Sequence, residues 1–336
     1  MPKVSIVLPV YNTSKYLSDC LNSIFSQTYK DFVVYAVDDG STDNSLEILQ
    51  KYQSKESRLI VLSQLNQGAA SARNAALKLI YKNCEDNDYV LFFDSDDLID
   101  EGCLQKCIQE MEGADLLIFG LRKFTQSGFY SSGRLVPAEV TLNQEQLCDY
   151  YFRLNDWVTG TTVTLNGLCN KCFKLSVLRD KFFDASLRIA EDQDFFINLI
   201  PQIKRAKVIP DPFYLYRMRS SSLTHVEKKM GFTDDFFVHQ KYIDKKDLPS
   251  YERYGIQHRY IESIWSDLHR SLVSKNNLKQ KSDFYKLVKS ALQKKFEFQL
   301  TSKDKKRLKI MRLGFFLNLI YAYLKLTKEK RKQLDL

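Results

Sequence analysis

Apolar and polar residues follow a regular order along the first hundred residues. Four apolar runs have the length of buried strands: residues 4–10, 32–37, 59–62 and 90–93. Helical segments separate them, and the first is marked by apolar residues three and four apart: Leu17, Cys20, Leu21, Ile24 and Phe25. The second helix follows Asp43, which can cap it, and the third spans about 69–81. This alternation predicts a right-handed series of β-α-β units, that is, a mainly parallel sheet flanked by helices.

The pattern is less regular in the rest of the chain. Further short strands are expected at residues 114–119, 208–209 and 213–216. Residues 126–167 contain glycines and a proline that interrupt any periodicity, whereas the acidic start and apolar continuation of 190–197 favour a helix. Nearer the C-terminus, strand-like runs give way to helical spacing with many charges. We therefore predict an α/β domain over residues 1–228 and a mainly helical region over 229–336.

Three carboxylates directly follow the fourth predicted strand. Residues 90–98 read VLFFDSDDL, so Asp94, Asp96 and Asp97 follow a buried strand with only Ser95 between them. Ligands of open α/β sheets bind at the carboxyl ends of the strands. Three adjacent carboxylates repel one another unless a cation or hydroxyl groups share their lone pairs, so this stretch predicts a metal site that holds a diphosphate. The alternative is a solvated acidic turn that caps the next helix.

The charge of the chain is concentrated at its C-terminal end. The formal net charge is +9, and residues 301–336 hold 11 Lys or Arg against three Asp or Glu. The preceding part is therefore close to neutral, which argues against a nucleic-acid-binding core and for a basic appendage. An apolar content of 44% is typical of a chain that folds around a core.

Seven cysteines are spread along the chain. This odd and dispersed set argues against a disulfide framework and for a reducing compartment. Cys169 and Cys172 have the spacing of half a zinc site, but no second pair completes it, so we expect free thiols. The N-terminus runs directly into an apolar strand without a charged leader, so a signal peptide is not expected.

Five motifs, in this order along the chain, resemble those of the inverting glycosyltransferases of family 2, which have the GT-A fold. They are VSIVLPVYN from residue 4, VDDGSTD from residue 37, NQGAASARN from residue 66, FDSDD from residue 93 and ED at 191–192. The resemblance covers about residues 1–225 and is strongest to bacterial members that build capsule, lipopolysaccharide or teichoic-acid sugars. It implies a Rossmann-like GT-A domain, followed here by a helical extension without motifs of the family.

The resemblance also implies a binding site for the nucleotide of a UDP-sugar. Asp39 would accept a hydrogen bond from the uracil ring N–H, with Asp38 beside it on the nucleotide. Pro9 and Tyr11 would line the base pocket, and Arg73 would face the donor, because a guanidinium suits phosphate. The plainer alternatives are that the two aspartates only cap a turn and that the arginine lies on a helix surface.

The acidic loop, residues 94–97, would then hold the leaving group. By resemblance, Asp94 would contact the ribose and Asp96 would bind Mn²⁺ or Mg²⁺, with Ser95 between them as part of the same nucleotide-binding stretch. Alternating residues of an extended chain point to opposite sides, so Asp97 would turn away and brace the loop. Two residues further along complete the implied set: Arg217 could clamp the diphosphate, and His225 could be a further metal ligand or bind nothing.

The motif at Glu191 and Asp192 implies the general base. An inverting transfer needs a base on the acceptor side of the anomeric carbon, opposite the leaving group, and one carboxylate is sufficient. We predict that Asp192 is this base and that Glu191 is its structural partner or substitute. Asn170 and Lys171 occupy positions where relatives place acceptor-side residues, although Lys171 could equally be a surface residue.

An apolar segment lies within the basic C-terminal region. Residues 313–324 are uncharged and rich in Phe, Leu, Ile and Tyr, and five Lys or Arg lie on each side, within 305–312 and 325–332. These residues are too few to span a bilayer, which takes about 20. An apolar helix flanked by cations suits the headgroup level of an anionic membrane. Packing on its own domain, or on another copy in a homo-oligomer, is the alternative.

These features together predict a metal-dependent, inverting hexosyltransferase in the cytoplasm, either free or peripheral on the inner face of the membrane. It would transfer a hexose or N-acetylhexosamine from a UDP-sugar to a saccharide acceptor, free or lipid-linked, in bacterial surface-glycan synthesis. A nucleotidyltransferase would require a glycine-rich loop near the first strand, and residues 9–14 contain no glycine. A catalytically silent glycan-binding or membrane-associated module would not need the full set of carboxylates. No nucleic-acid partner is expected.

Overall fold

The chain folds into two compact units, Met1–Thr224 and His225–Leu336. The structure is a computed structural model, and it describes residues 2–125, 128–130, 139–152, 167–187, 190–218, 232–274, 276–293, 296, 300–322 and 325. The assignment of functional domains to 1–228 and 229–336 stays a prediction.

The first unit consists of alternating strands and helices. Its strands are β1 (Val4–Val10), β2 (Phe32–Asp38), β3 (Leu59–Ser63), β4 (Tyr89–Phe92), β5 (Leu98–Ile99), β6 (Leu116–Ile118), β7 (Leu121–Thr125), β8 (Gly128–Tyr130), β9 (Val140–Asn143), β10 (Lys171–Lys174), β11 (Arg205–Val208) and β12 (Tyr214–Arg217). Its helices are α1 (Ser14–Phe25), α2 (Ser45–Gln53), α3 (Ala69–Asn83), α4 (Cys103–Glu110), α5 (Gln144–Phe152), α6 (Leu175–Leu178) and α7 (Glu191–Leu199). The predicted α/β class is confirmed, and so are the four strands of the first hundred residues.

The main sheet has eight strands in the order β3-β2-β1-β4-β10-β6-β11-β9. The first four of these are mutually parallel, as the alternating pattern predicts. The sequence did not reveal that β10 would enter the sheet antiparallel to both β4 and β6. The strand that leads into the acidic motif, β4, therefore lies between a parallel neighbour, β1, and an antiparallel neighbour, β10. The predicted 114–119 strand is shorter, and the predicted 208–209 strand starts earlier, at Arg205.

The core beneath the sheet is formed by the residues that the apolar periodicity selected. Leu17, Cys20, Leu21 and Ile24 of α1 are fully buried, and they pack with the apolar residues of β1 and β2. Burial of one such large aliphatic side chain stabilises the fold by about 1.5–3 kcal/mol. This packing fixes α1 against the sheet and so sets the position of the loops at the carboxyl ends of β1 and β2. All seven cysteines are free thiols.

A second sheet holds the far end of the acidic loop. Its four strands have the order β5-β12-β7-β8, and β5 pairs antiparallel with β12. The acidic loop runs from β4 in the main sheet to β5 in the second sheet, so each end of the loop is tied to a different sheet. This arrangement restricts the loop to one path although its centre is partly exposed.

The second unit is helical in the part that the structure describes. Its helices are α8 (Asp234–Tyr242), α9 (Ser250–Val273), α10 (Leu278–Ala291) and α11 (Ser302–Met311), and residues 315–322 are also helical. A buried polar network joins α9 to α11: His258 Nδ1 lies 2.7 Å from Asp304 Oδ2, and Arg307 Nη2 donates to Glu262 Oε1 at 2.7 Å. Within the described residues, no helix is both long enough and apolar enough to cross a membrane.

Glu252, near the start of α9, is a buried carboxyl group without a hydrogen-bond partner for either oxygen among the described residues. Burial raises its pKa from 4.5 to about 8, and Asp247 adds to the rise while Lys245 opposes it. The folded state therefore retains a proton that the unfolded state loses at lower pH. Because a raised carboxyl pKa favours the folded state only while the group is protonated, stability falls as the pH rises from about 4.5 to about 8.

We predict that Glu252→Gln raises the free energy of unfolding at about pH 8 by about 1–3 kcal/mol and changes it little at about pH 5. The amide resembles the protonated carboxyl group but cannot ionise. Urea unfolding followed by far-ultraviolet circular dichroism at both pH values measures the difference. Asp283→Asn is the control, because Asp283 is 54% exposed and pairs only with Lys286. A Glu252→Gln effect that is equal at the two pH values contradicts the prediction.

Candidate functional site

The acidic loop is anchored to the first strand and to the loop that follows it. The backbone N–H of Phe93 donates to the carbonyl of Val7 at 2.9 Å, which continues the pairing of β4 with β1. The Ser95 hydroxyl is buried and lies 3.0 Å from the Thr13 hydroxyl. This internal contact forms because the carboxyl ends of β1 and β4 are adjacent. The predicted place of Ser95 in the nucleotide-binding stretch stays a prediction.

Asp97 is buried at the base of the loop. Its Oδ2 accepts a hydrogen bond from the Tyr214 hydroxyl at 2.6 Å, and its Oδ1 accepts from the Arg217 backbone N–H at 2.7 Å. Burial raises the pKa of Asp97 well above its usual range, and the charges of Asp96 and Asp94 raise it further. Asp97 therefore joins the acidic loop to β12.

Arg217 supports the backbone of the acidic loop rather than extending into a free diphosphate site. Its Nε donates to the backbone carbonyl of Asp96 at 2.8 Å, and its Nη2 lies 3.3 Å from Asp19 Oδ2. The guanidinium also lies over the rings of Tyr16 and Phe124, at 5.0 and 4.7 Å. The guanidinium that was predicted to clamp a diphosphate thus contacts protein groups, because β12 pairs with β5 at the end of the acidic loop.

Asp94 and Asp96 remain the partly exposed carboxylates of the loop. Their oxygens are the ligand type that Mn²⁺ and Mg²⁺ prefer, and such ions often take only one or two carboxylates together with substrate phosphates. Among the described residues, no three His, Cys, Asp or Glu side chains form a group that could hold a metal ion. The donor set therefore fits an ion whose remaining ligands are phosphate and water. The predicted ligand His225 lies outside the described residues.

Asp39 is buried where the loop after β2 meets the segment before α3. Its Oδ1 accepts hydrogen bonds from the Gln64 side chain at 2.7 Å and from the Gln67 N–H at 2.9 Å, and its Oδ2 accepts from the Gly68 N–H at 2.8 Å. This arrangement ties two neighbouring strand ends together. Gly40 follows in the left-handed region with φ +70°, and a Cβ there would lie 2.8 Å from the Asn66 nitrogen.

Three further residues of the predicted base pocket lie at the same strand ends. Asp38 Oδ2 accepts from the Ser41 N–H at 3.3 Å, while its buried Oδ1 has no hydrogen-bond partner in the described part of the chain. Tyr11 is 48% exposed, and Pro9 is partly buried. An unpaired buried oxygen and an accessible aromatic ring, on the paired strand ends of β2 and β1, suit a polar aromatic ligand such as a nucleobase. The roles of these residues stay predictions.

Arg73 connects the acidic loop to the Glu191–Asp192 motif. Its Nη1 lies 2.8 Å from Glu191 Oε1 and 3.2 Å from Asp192 Oδ1, and its Nη2 lies 3.3 Å from Asp94 Oδ1. Burial lowers the pKa of Arg73, but the three carboxylates raise it above its ordinary value overall. Arg73 Nε has no hydrogen-bond partner within the described residues. One buried cation thus brings two motifs together that are about one hundred residues apart.

Asp192 lies at the start of α7, with about a quarter of its side chain exposed. Desolvation raises its pKa from 3.8 to about 7; Arg73 lowers it, and Glu191 and Asp94 raise it further. Its Oδ1 makes no hydrogen bond with any described residue, although Arg73 is close. A carboxylate with this pKa can accept a proton near neutral pH.

Asn170 and Lys171, which were predicted to lie beside the acceptor, are fully buried, and their acceptor-side role stays a prediction. The Asn170 amide donates to the Phe119 carbonyl at 2.8 Å, and the Lys171 ammonium donates to the Gly167 carbonyl and to Asn170 Oδ1. Both side chains thus stabilise the segment that leads into β10. Burial lowers the pKa of Lys171 to about 8.

Several residues that support the site could not be identified as such from local sequence pattern. Tyr214 bonds to Asp97, and Phe183 lies 5.5 Å beneath the Arg73 guanidinium. Phe183 is itself held by Asn74, whose side chain makes two hydrogen bonds with the Phe183 backbone, at 2.8 and 2.9 Å. Each of these contacts joins residues about one hundred positions apart, so local pattern could not reveal them.

We predict that Arg73→Gln lowers the free energy of unfolding by about 3–5 kcal/mol at neutral pH, because it leaves three carboxylates together without their cation. The loss becomes smaller as the pH falls, since protonation of the carboxylates relieves their repulsion. Chemical denaturation across pH measures this effect. Arg58→Gln is the matched control: among the described residues Arg58 forms an ion pair with Glu56 alone, both side chains are about a quarter exposed, and its guanidinium, like that of Arg73, lies over an aromatic ring. A cost no greater than that of Arg58→Gln contradicts the prediction.

Comparison with known proteins adds evidence on the family. A sequence model described as "Glycosyl transferase family 2" matches residues 5–180. An uncharacterized glycosyltransferase of Haemophilus influenzae is 38% identical over 233 residues, which cover 68% of this chain and 81% of that protein. The uncharacterized glycosyltransferase EpsJ of Bacillus subtilis is 28% identical over 264 residues, covering 76% of this chain and 72% of EpsJ.

A third relative is TarS of Staphylococcus aureus, a poly(ribitol-phosphate) beta-N-acetylglucosaminyltransferase. It is 29% identical over 245 residues, which cover 70% of this chain but only 39% of TarS. The crystal structure of TarS residues 1–349 in complex with UDP-GlcNAc has a TM-score of 0.66 and 23% identity, covering 96% of this chain and 88% of the TarS chain. At this identity the likeness shows the fold, which confirms the predicted GT-A architecture.

Proposed function

The chain belongs to glycosyl transferase family 2, and we propose that it transfers a hexose or N-acetylhexosamine from a UDP-sugar to a saccharide acceptor, with inversion. The contact set of Arg73 is the observation that carries this proposal. It brings Asp94, on the predicted leaving-group side, within reach of the same guanidinium as Asp192, the predicted base. A displacement in one step needs these two functions close together on opposite sides of the reacting carbon.

In the proposed reaction, an acceptor hydroxyl oxygen attacks the anomeric carbon of the donor sugar. The bond from that carbon to the diphosphate oxygen breaks, and UDP leaves with the bonding electrons. Asp192 receives the hydroxyl proton, while Arg73 Nη1, 3.2 Å from its Oδ1, holds the carboxylate in place. An α-linked donor therefore gives a β-linked product. The raised pKa of Asp192, about 7, suits a base that works near neutral pH.

Asp96, with Asp94 beside it, would hold Mn²⁺ or Mg²⁺. A divalent ion bound there would supply positive charge that neutralises the diphosphate as it departs. The protein contributes the fixed position of the loop: Arg217 bonds to the Asp96 carbonyl, and Tyr214 and the Arg217 backbone hold Asp97. His225 remains a candidate further ligand by resemblance alone.

We propose that the enzyme acts in the cytoplasm and that its nucleotide is uridine diphosphate. Support for the nucleotide comes from the motif around Asp39, the unpaired Asp38 oxygen and the exposed Tyr11 ring. The relative TarS was crystallised with UDP-GlcNAc, and its name describes a β-linked product. We propose that the acceptor belongs to a bacterial capsule, lipopolysaccharide or teichoic acid, either free or lipid-linked.

A donor panel tests the proposal. UDP-glucose, UDP-galactose and their N-acetylated forms are each incubated with the protein and Mn²⁺, and nucleotide release is measured. We expect UDP release from at least one of these donors, and its loss when a chelator removes the metal. GDP-mannose is the control for the nucleobase, because it carries guanine in place of uracil. Release of nucleotide from GDP-mannose alone, or from no donor at all, contradicts the proposal.

A further inference from the structure

The most exposed apolar surface of the second unit lies at residues 313–320. Four large aliphatic or aromatic side chains there are at least half exposed: Leu313 at 50%, Phe316 at 71%, Leu317 at 53% and Ile320 at 54%. Their spacing of three and four residues places them on one side of the 315–322 helix and the turn before it. We call these four residues the apolar face. Isolated exposed leucines are common, but a contiguous set on one helix indicates a contact surface.

The opposite side of the same helix is firmly packed. Asn318 is buried, and its amide donates to the carbonyls of Ile310 and Gly314, both at 2.9 Å. Phe315, Leu319 and Ala322 pack on the helical core. The turn at Gly314 (φ +114°) is held by the Tyr285 hydroxyl, which accepts from the Gly314 N–H at 3.0 Å. The apolar face is therefore held outward by buried contacts behind it.

The charges beside the apolar face are all of one sign. Within residues 300–322, every exposed charged side chain is cationic: Lys303, Lys305, Lys306, Lys309 and Arg312. The acidic residue of this stretch, Asp304, is buried against His258 and Arg307. A shallow groove lined by three of the cations (Lys305, Lys309 and Arg312) and by Leu300, Leu308 and Leu313 joins the basic helix α11 to the apolar face. These lysines and Arg312 make no ion pair with any described residue.

We propose that this surface binds the anionic phospholipid headgroups of a bilayer, with the apolar face inserted among the acyl chains at the interface. The surface of such a membrane has anionic phosphates above hydrocarbon. The cations suit the phosphates, and the neighbouring exposed apolar side chains suit the hydrocarbon. This surface is less suited to a two-fold contact between two copies of the chain. Such a contact would bring the same patch of both copies together and so place their cations near one another.

Cosedimentation with vesicles tests the proposal on the full chain. We expect little binding to phosphatidylcholine vesicles and strong binding once phosphatidylglycerol is included. The double variant Phe316→Ser/Leu317→Ser should weaken binding to the anionic vesicles by about tenfold or more. The matched control Phe182→Ser/Leu65→Ser removes an exposed Phe and Leu from the other unit, where they are 43% and 85% exposed, and should bind as the wild type does.

A second variant tests the charges independently of the apolar face. Lys305→Gln/Lys306→Gln/Lys309→Gln should lower vesicle binding by about 10- to 100-fold, since each such cation contributes about 1 kcal/mol near an anionic surface. Lys51→Gln/Lys55→Gln/Lys78→Gln removes the same charge from exposed positions in the first unit and should have little effect. All variants remove exposed side chains, and circular dichroism checks that they are folded.

Three outcomes overturn the proposal. The first is equal binding of wild type and both test variants to anionic vesicles, and the second is no binding by wild type at all. The third is a wild-type dimer in light scattering that Phe316→Ser/Leu317→Ser converts to a monomer while vesicle binding persists, because the apolar face would then be a contact between copies. None of these outcomes affects the proposed sugar transfer, which the donor panel measures without a membrane.

Discussion

Asp192→Asn is expected to lower kcat for sugar transfer by about 100- to 10,000-fold, which is the usual contribution of a general base. The side chain keeps its size, but the amide cannot accept the proton of the acceptor hydroxyl. The KM for the donor should change little, because Asp192 lies on the acceptor side of the proposed reaction. Steady-state kinetics with the donor that the panel identifies measure both constants.

Glu191→Gln is the matched control for the base. Glu191 contacts the same guanidinium, at 2.8 Å, so this variant also disturbs Arg73 but leaves Asp192 in place. We expect a loss smaller than that of Asp192→Asn. If Glu191→Gln is the more damaging change, then Glu191 is the base and Asp192 its partner.

The same assignment fixes the direction of the pH dependence. Asp192 has a pKa raised to about 7 and acts only when ionised, so kcat/KM should increase with pH up to about pH 7 and then level off. Below that point, the logarithm of kcat/KM should fall by about one for each pH unit. A profile without any inflection near neutral pH contradicts the assignment of Asp192 as the base.

Asp96→Asn is expected to produce the second large loss, about 100-fold in kcat/KM at a fixed Mn²⁺ concentration. A metal ligand that helps to neutralise a leaving diphosphate is worth several kcal/mol, and about 2.7 kcal/mol corresponds to a factor of about 100. Raising the Mn²⁺ concentration should restore part of the activity, because the amide is a weaker ligand rather than a steric obstacle. Initial rates over a Mn²⁺ titration measure this.

Asp100→Asn is the control for the acidic loop. Asp100 lies just beyond β5 and is exposed, and its Oδ1 accepts a long hydrogen bond of 3.3 Å from the Gly102 N–H. It should retain nearly full activity with an unchanged response to Mn²⁺. Asp96→Asn with wild-type rates at every metal concentration rules out Asp96 as a required metal ligand.

The first hundred residues could be predicted well because their information is local. Buried strands such as β1 and β4 are short apolar runs, and α1 shows its core face directly as a repeat of three and four residues. The rule that parallel strands present their carboxyl ends at one edge places Asp39 and Asp94 at the same edge of the sheet, with β1 between their strands. Ser95 and Thr13 show how closely the loops after β4 and β1 meet.

The interior of the site could not be predicted, because its contacts join distant parts of the chain. Lys171 resembles a surface lysine in sequence, yet it is fully buried with its ammonium on the Gly167 carbonyl and above the Phe196 ring. Arg217 is the last residue of a short strand that pairs beside the acidic loop only in the folded chain. Arg73 was expected on the donor side, but no local feature indicated that three carboxylates would surround it.

The alternative functions differ from sugar transfer in what they require of these residues. A silent binding module gains nothing from a carboxylate with a raised pKa and an oxygen without a hydrogen bond beside a buried arginine, as found for Asp192. A nucleotidyltransferase would retain the β1 and β4 carboxyl ends but would need glycine and a cation after β1, where Tyr11, Asn12 and Thr13 stand.

A calorimetric titration of UDP, with and without Mn²⁺, tests the central claim most directly, because it requires neither the acceptor nor the sugar. The predicted result is binding of UDP that Mn²⁺ tightens by about tenfold or more, that is weaker for GDP, and that Asp96→Asn makes insensitive to the metal. Equal affinity for UDP and GDP without any effect of Mn²⁺, or no measurable binding of UDP, contradicts a metal-assisted UDP-sugar transferase built on this site.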